Sequence, residues 1–270
     1  MRRNSELQGM ENVEHAQRLY LDLMKRCLVN MIYPQSEEVP RTWPSFRDAQ
    51  GKVLALDTTN RMEGRIWPLV AHTMIGLKRL DNLEFCIETV ITNGVAGDLI
   101  ETGVWRGGAT IFMRAVLKTH GVTDRCVWVA DSFEGLPPPS TDKYPYDADS
   151  RLHESRELAV SLEEVKANFH RYGLLDGQVR FLKGWFRDTL PSVPIERLAV
   201  LRLDGDMYQS TMDALANLYP KLSEGGYVIV DDYGAIPACR QAVNDYRSAN
   251  AITEEIRNID WTGFFWQKGN

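Results

Sequence analysis

From Asp98 onward the chain alternates short β-branched, apolar runs with segments of helical periodicity, and that alternation leaves few folds open. Strands are predicted at residues 98–102, 126–131 (CVWVAD), 178–183 (QVRFLK), 198–203 (LAVLRL) and 226–231. Helices are predicted at 107–120, 160–172, 208–221 and 236–249, and residues 255–259 and 263–267 read as a closing hairpin. The expected fold is α/β: a mostly parallel, seven-stranded, Rossmann-like sheet with helices on both faces and an antiparallel edge. Ligands in such sheets bind beyond the carboxyl ends of the strands.

Carboxylates stand at that rim. Asp204 follows the run LAVLRL, and Asp231 and Asp232 follow GYVIV. Adjacent carboxylates repel one another, which raises at least one pKa unless a cation sits between them. An all-oxygen set without Cys or His suits a hard ion such as Mg²⁺. Asp204, Asp231 and Asp232 are therefore the candidate metal ligands. Asp204 and, after it, Asp206 are the candidate bases; a solvent-facing or capping role competes for Asp206.

The cofactor end is read from ETGVWRGG (101–108), which closes the first strand and turns into a helix. Gly103 permits a tight turn, and Gly107 and Gly108 would let a ligand approach the helix N-terminus. The spacing E-x-G-x-x-x-G is not G-x-G-x-x-G, and a plain strand–helix turn explains it equally well. Asp131 ends the second strand, where a carboxylate can accept from both ribose hydroxyls; a cap supported by Ser132 is the alternative. Trp185 reads either as a cover for adenine or as core packing.

Upstream, residues 13–32 and 71–92 have helical spacing. Between them, residues 34–68 carry four prolines with Trp43, Phe46 and Trp67, a pattern expected of a lid. A second lid is expected at 135–156, with Tyr144 and Tyr146. Trp67, His72 and Met74 are candidate substrate-lid residues, although a satisfied histidine explains His72 as well. The expected organisation is one compact unit: residues 1–97 as N-terminal helices and lid, 98–270 as the cofactor- and metal-binding core. The net charge of −6 disfavours nucleic acid and anionic membranes. Four dispersed cysteines make no zinc pattern, and no apolar run reaches membrane-spanning length, so a cytoplasmic protein is expected.

These segments resemble a known family. AHTMIGLKRL (71–80), ETGVWRGG, WVADSF (128–133), YGLLD (172–176), GWFRDTLP (184–191), RLDGD (202–206) and GYVIVDDY (226–233) are similar to the macrocin, or TylF-type, O-methyltransferases of antibiotic sugars. The likeness runs from about Tyr20 almost to the C-terminus. It implies the class I methyltransferase fold, with S-adenosyl-L-methionine framed by Glu101, Thr102, Gly103, Gly107, Asp131, Ser132 and Trp185. It also implies Mg²⁺ on the three aspartates, chelated by neighbouring sugar hydroxyls, and in-line methyl transfer to a hydroxyl deprotonated by an aspartate. The implied substrate is a small glycosylated antibiotic, macrolide or aminocoumarin. The implied assembly is a homo-oligomer, a dimer or larger, in which the N-terminal helix completes a neighbour's site.

A catechol methyltransferase on the same fold is one rival, but the position of its lysine base holds Met207. A nicotinamide dehydrogenase lacks its glycine fingerprint here. A decayed cofactor-binding protein is the third, and the intact aspartates, glycine turn and Asp131 speak against it.

Overall fold

The computed structural model describes residues 2–33 and 57–269, with side chains described from residue 11. Trp43, Phe46 and most of the first expected lid lie outside the described residues. The elements run α1 (Arg2–Leu28), α2 (Thr58–Met62), α3 (Gly76–Thr92), β1 (Asp98–Thr102), α4 (Gly108–Thr119), β2 (Val127–Asp131), α5 (Leu162–Arg171), β3 (Val179–Lys183) and α6 (Phe186–Thr189). They continue with β4 (Leu198–Leu203), α7 (Tyr208–Leu218), β5 (Leu222–Val230), α8 (Pro237–Ala249), β6 (Arg257–Asn258) and β7 (Phe264–Gln267).

The seven strands form one sheet in the order β3-β2-β1-β4-β5-β7-β6. Strands β1 to β5 are parallel, and β7 pairs antiparallel with both β5 and β6. The expected α/β class and closing hairpin are both present. Chain order reverses between β1 and β4, so the crevice of this sheet opens between those two strands.

Two apolar clusters cover the faces of the sheet. One unites Leu21, Met24 and Leu28 of α1 with Leu80, Leu83 and Ile87 of α3, α4, and inward residues of β1 and β2. The other joins Leu215 and Leu218 of α7 and Val243 of α8 to Leu201 and Val228 beneath them. β4 is buried along its whole length, as its unbroken apolar run requires of a central parallel strand.

Several expected boundaries move, for local reasons. The helix expected from residue 71 starts at Gly76, because the backbone before it bridges other segments: His72 N donates to Leu28 O and Gly108 N donates to His72 O, both at 2.9 Å. β5 begins four residues earlier than expected, at Leu222, where a shift in the pairing with β4 admits residues 222–226. The short α6 is too brief to show periodicity. The second lid contains two 3₁₀ turns, a third follows at its end, and the segment is tied down by Asp147. That buried carboxylate accepts from Tyr208 N at 2.7 Å and Gln209 N at 3.0 Å, capping α7.

Candidate active site

Backbone pairing extends one residue past the strands and sets the rim. Gly184 N donates to Asp131 O, Gly103 N to Ala130 O, Asp204 N to Thr102 O and Asp231 N to Leu203 O, each at 2.9 Å. The ends of the five parallel strands are thereby held level across the crevice. Gly103 sits at φ +90°, and a Cβ there would run into the carbonyl oxygen of Asp204. Only glycine lets β1 and β4 approach this closely at the switch point.

Gly107 and Gly108 make room for the protein's own chain. A Cβ on Gly107 would strike Val165, and one on Gly108 would strike the His72 carbonyl and Thr73. Their bareness admits the protein's own chain, and Gly107 is not on the cavity wall. Thr102 is buried behind that wall, its hydroxyl 3.4 Å from Arg202 O.

A cavity of about 260 Å³ opens at the crevice. Glu101, Gly103, Asp131, Ser132 and Trp185 line one part, and Asp204, Asp206, Asp231 and Asp232 the other. Trp67 and Met74 are also on its wall. His72 is not. Its Nδ1 lies 2.8 Å from the Tyr172 hydroxyl, and burial next to Arg171 and Arg106 lowers its pKa to about 4. Among the described residues it is a neutral histidine behind the wall, paired with Tyr172.

Asp131 is already engaged by the protein. Its Oδ2 accepts from Val104 N and its Oδ1 from Phe133 N, both at 2.7 Å. These bonds pin the turn after β1 to the end of β2. The Ser132 hydroxyl, 3.4 Å from Oδ1, adds a weaker donor.

Asp204, Asp231 and Asp232 converge, each with a carboxylate oxygen within 4.8 Å of the others. Burial foremost, and then Asp231, raise the pKa of Asp204 to about 6 against the pull of Arg202. Burial with Asp204 and Asp231 nearby raises Asp206 to about 8. Asp232 is pushed well above the carboxylate range by burial and by Asp206, Asp204 and Asp231.

Two buried arginines, which the sequence reading missed, share this charge. Arg202 Nη1 donates to Glu101 Oε1 at 2.5 Å and to Asp204 Oδ2 at 2.6 Å, and its Nη2 donates to Asp231 Oδ1. Glu101 and Arg202 are register partners on β1 and β4, which puts both side chains on one face. Arg79, in the first turn of α3, donates to Asp231 Oδ2. The signal was legible in part: a lone arginine inside the otherwise apolar run LAVLRL, beside a carboxylate cluster, is a counter-ion. No Asp206 side-chain bond to a cation accompanies these contacts among the described residues. Met207, where a catechol enzyme has its lysine, is 1% exposed and faces the core.

With this geometry in view, comparison with known proteins is decisive. The macrocin O-methyltransferase (TylF) pattern matches residues 17–268. The chain belongs to that family. It is 59% identical over 255 residues to the 8-demethyl-8-(2,3-dimethoxy-α-L-rhamnosyl)-tetracenomycin-C 4′-O-methyltransferase of Streptomyces olivaceus, covering 94% of each chain. It is 54% identical to the demethyldecarbamoylnovobiocin O-methyltransferase of Streptomyces niveus, covering 93% of each. The mycinamicin III 3″-O-methyltransferase of Micromonospora griseorubida is 52% identical, over 93% of this chain and 96% of that one. The solved structure of the O-methyltransferase NovP superposes with a TM-score of 0.85 at 52% identity, covering 94% of this chain and all of that one. The calicheamicin methyltransferase CalS11, at 19% identity and TM-score 0.56, shares the fold. The chain is an O-methyltransferase, a class of enzyme that uses S-adenosylmethionine. No helix among the described residues is long and apolar enough to cross a membrane.

Proposed function

We propose that the protein methylates a hydroxyl of a deoxysugar carried by an antibiotic, with S-adenosylmethionine and a divalent cation, Mg²⁺, as cofactors. The observation that carries this reading is the convergence of Asp204, Asp231 and Asp232 at the rim of the cavity. The three named relatives act on a rhamnosyl-tetracenomycin, a demethyldecarbamoylnovobiocin and mycinamicin III. The aglycone is therefore not confined to the macrolides and aminocoumarins expected from sequence.

Both cofactors fit residues present. The donor set is all carboxylate oxygen, and burial first and the neighbouring carboxylates second raise its pKa values, both effects that a hard cation relieves. Asp204, Asp231 and Asp232 would hold it. Glu101 Oε2 is buried at the cavity without a hydrogen-bond partner, and burial raises the Glu101 pKa to about 8 despite Arg202. A cationic donor group would satisfy that oxygen, so Glu101, Gly103, Asp131, Ser132 and Trp185 suit S-adenosylmethionine. When bound, S-adenosylmethionine supplies an electrophilic methyl, and the cation lowers the pKa of an aliphatic hydroxyl and orients it.

The chain's own part is to hold the reactants in line and take the proton. Asp206 is favoured over Asp204 as base, reversing the order read from sequence. Asp204 is bonded to Arg202, whereas the basicity of Asp206 is raised by burial and acidic neighbours. Asp206 is held in place by an unusual backbone at φ +58°, with its N–H 3.3 Å from Asp232 Oδ2. Trp67 and Met74 would contact the acceptor. The expected homo-oligomer remains part of this proposal, with exposed Val13, Leu19, Tyr20 and Leu23 of α1 as the surface it would use. The test is methyl transfer to a panel of O-demethyl glycosylated antibiotics, with Mg²⁺ or with chelator. Turnover abolished by chelator and restored by Mg²⁺ supports the reading, and chelator-resistant turnover overturns it.

A further inference from the structure

Arg79 has every arm of its guanidinium committed, and its partners lie in three separate segments. Nη1 donates to Asp231 Oδ2. Nε donates to Asp260 Oδ2 at 3.0 Å, in the turn between β6 and β7. Nη2 donates to Gly64 O at 2.9 Å, just after α2. Gly64 through Trp67 form a wall of the cavity. Gly64 itself has φ +62°, and a Cβ there would collide with the Arg79 guanidinium. The wall is thus shaped to receive this one side chain.

A second contact reinforces the junction. Trp261 Nε1 donates to Glu63 O at 3.0 Å, and the guanidinium carbons of Arg65 and Arg79 lie 5.3 and 6.0 Å from the Trp261 ring centroid. Trp261 and Thr262 also line the cavity. Arg79 is 4% exposed, so its charge is little screened by solvent and its bonds are costly to leave unmade. None of its hydrogen-bond partners belongs to the glycine turn, Asp131 or Trp185.

We propose that Arg79 is a positioning residue that couples the cavity wall at residues 64–67 to the carboxylate of Asp231, so that cation binding and ordering of this wall support one another. The inference rests on the reading of Asp204, Asp231 and Asp232 as metal ligands. A planar fork is needed, since three acceptors in different directions exceed what an ammonium can satisfy at these distances. Coupling of this kind is reciprocal: whatever steadies the wall tightens the cation, and the cation steadies the wall.

The test compares wild type with Arg79→Gln, Arg79→Lys and Asp260→Asn. Mg²⁺ is titrated calorimetrically into each protein saturated with S-adenosylhomocysteine, and tryptic cleavage after Arg61 and Arg65 is followed with and without Mg²⁺. Arg79→Gln should weaken Mg²⁺ about 10–100-fold, with S-adenosylhomocysteine affinity within about twofold of wild type. Arg79→Lys should recover part of that loss. Mg²⁺ should slow cleavage in wild type but not in Arg79→Gln. Asp260→Asn keeps Arg79 and the fold-critical Oδ1 bonds to Thr262 N and Gly263 N, so it reports even if Arg79→Gln does not fold; it should weaken Mg²⁺ in the same direction. Wild-type Mg²⁺ binding that the Arg79 and Asp260 variants match overturns the coupling alone. Equal losses of Mg²⁺ and S-adenosylhomocysteine affinity reduce Arg79 to a general structural role and also overturn it. A wild type that binds no Mg²⁺ overturns both this inference and the functional reading beneath it.

Discussion

The two sides of the crevice are built on different principles. On the β1–β2 side, backbone does the positioning: Gly103 brings the strands together, and Asp131 spends two bonds on main-chain N–H groups. On the β4–β5 side, charge does it. Asp204 and Asp231, with Glu101 across the crevice, are paired with Arg79 and Arg202, and Asp206 and Asp232 stand beside them on the same cavity. A site made of turns keeps its shape whether or not a ligand is present. A site made of buried like charges is held under repulsion, and a cation relaxes it. On the proposed reading, this difference would let one chain hold a large cofactor and a small ion side by side by separate means.

Substitutions should separate the two sides. Asp232→Asn should reduce turnover roughly 10³-fold or more and abolish the Mg²⁺ response, while S-adenosylhomocysteine titration stays near wild type. A parallel loss of cofactor affinity would erase the distinction. Asp206→Asn should lower kcat roughly 10²–10⁴-fold with Mg²⁺ binding retained, and the same change at Asp204 should instead impair Mg²⁺ binding. Gly103→Ala strikes the backbone side and should cost about 1–3 kcal/mol in stability. Chemical denaturation would measure that loss, and cofactor affinity should fall with it.

Stability against pH sharpens the contrast. Asp204, Asp206 and Asp232 have folded pKa values above those of an unfolded aspartate, about 3.9. The folded protein therefore binds more protons than the unfolded one across that interval. Its stability, without added cation, should be fully present below about pH 4 for these groups and fall as pH rises toward about 8. On the proposed reading Mg²⁺ would bind the deprotonated cluster, so its effect on Tm should be larger at pH 8 than at pH 6; an equal shift at both would argue against the cluster as the binding site. The smallest effect is expected from His72→Ala: it lies off the cavity wall, and its KM for acceptor should change less than about twofold.

Much of this was legible in the sequence because strand ends announce themselves. The runs before Asp131, Asp204 and Asp231 are short, apolar and β-branched, and each carboxylate lands on the rim as periodicity requires. What stayed hidden depends on contacts between distant segments. Arg79 meets Asp231 across 152 positions, and nothing local in AHTMIGLKRL marks it as a counter-ion. Asp147 caps a helix 61 positions away, so its region read as a loose lid. Gly107 and Gly108 were visible as glycines, but only the neighbouring Val165 and His72 backbone tell whether such space serves a ligand or the chain. His72 reads alike in sequence whether it faces a substrate or Tyr172.

The most direct test of the charged side is crystallographic: Mn²⁺ soaked into the S-adenosylhomocysteine complex, with the ion located by its anomalous scattering. The account predicts a single peak among Asp204, Asp231 and Asp232, with oxygen ligands in octahedral arrangement, adjoining the cofactor in the cavity. A peak elsewhere, or an aspartate cluster held by Arg79 and Arg202 with no ion among saturating Mn²⁺, would contradict it.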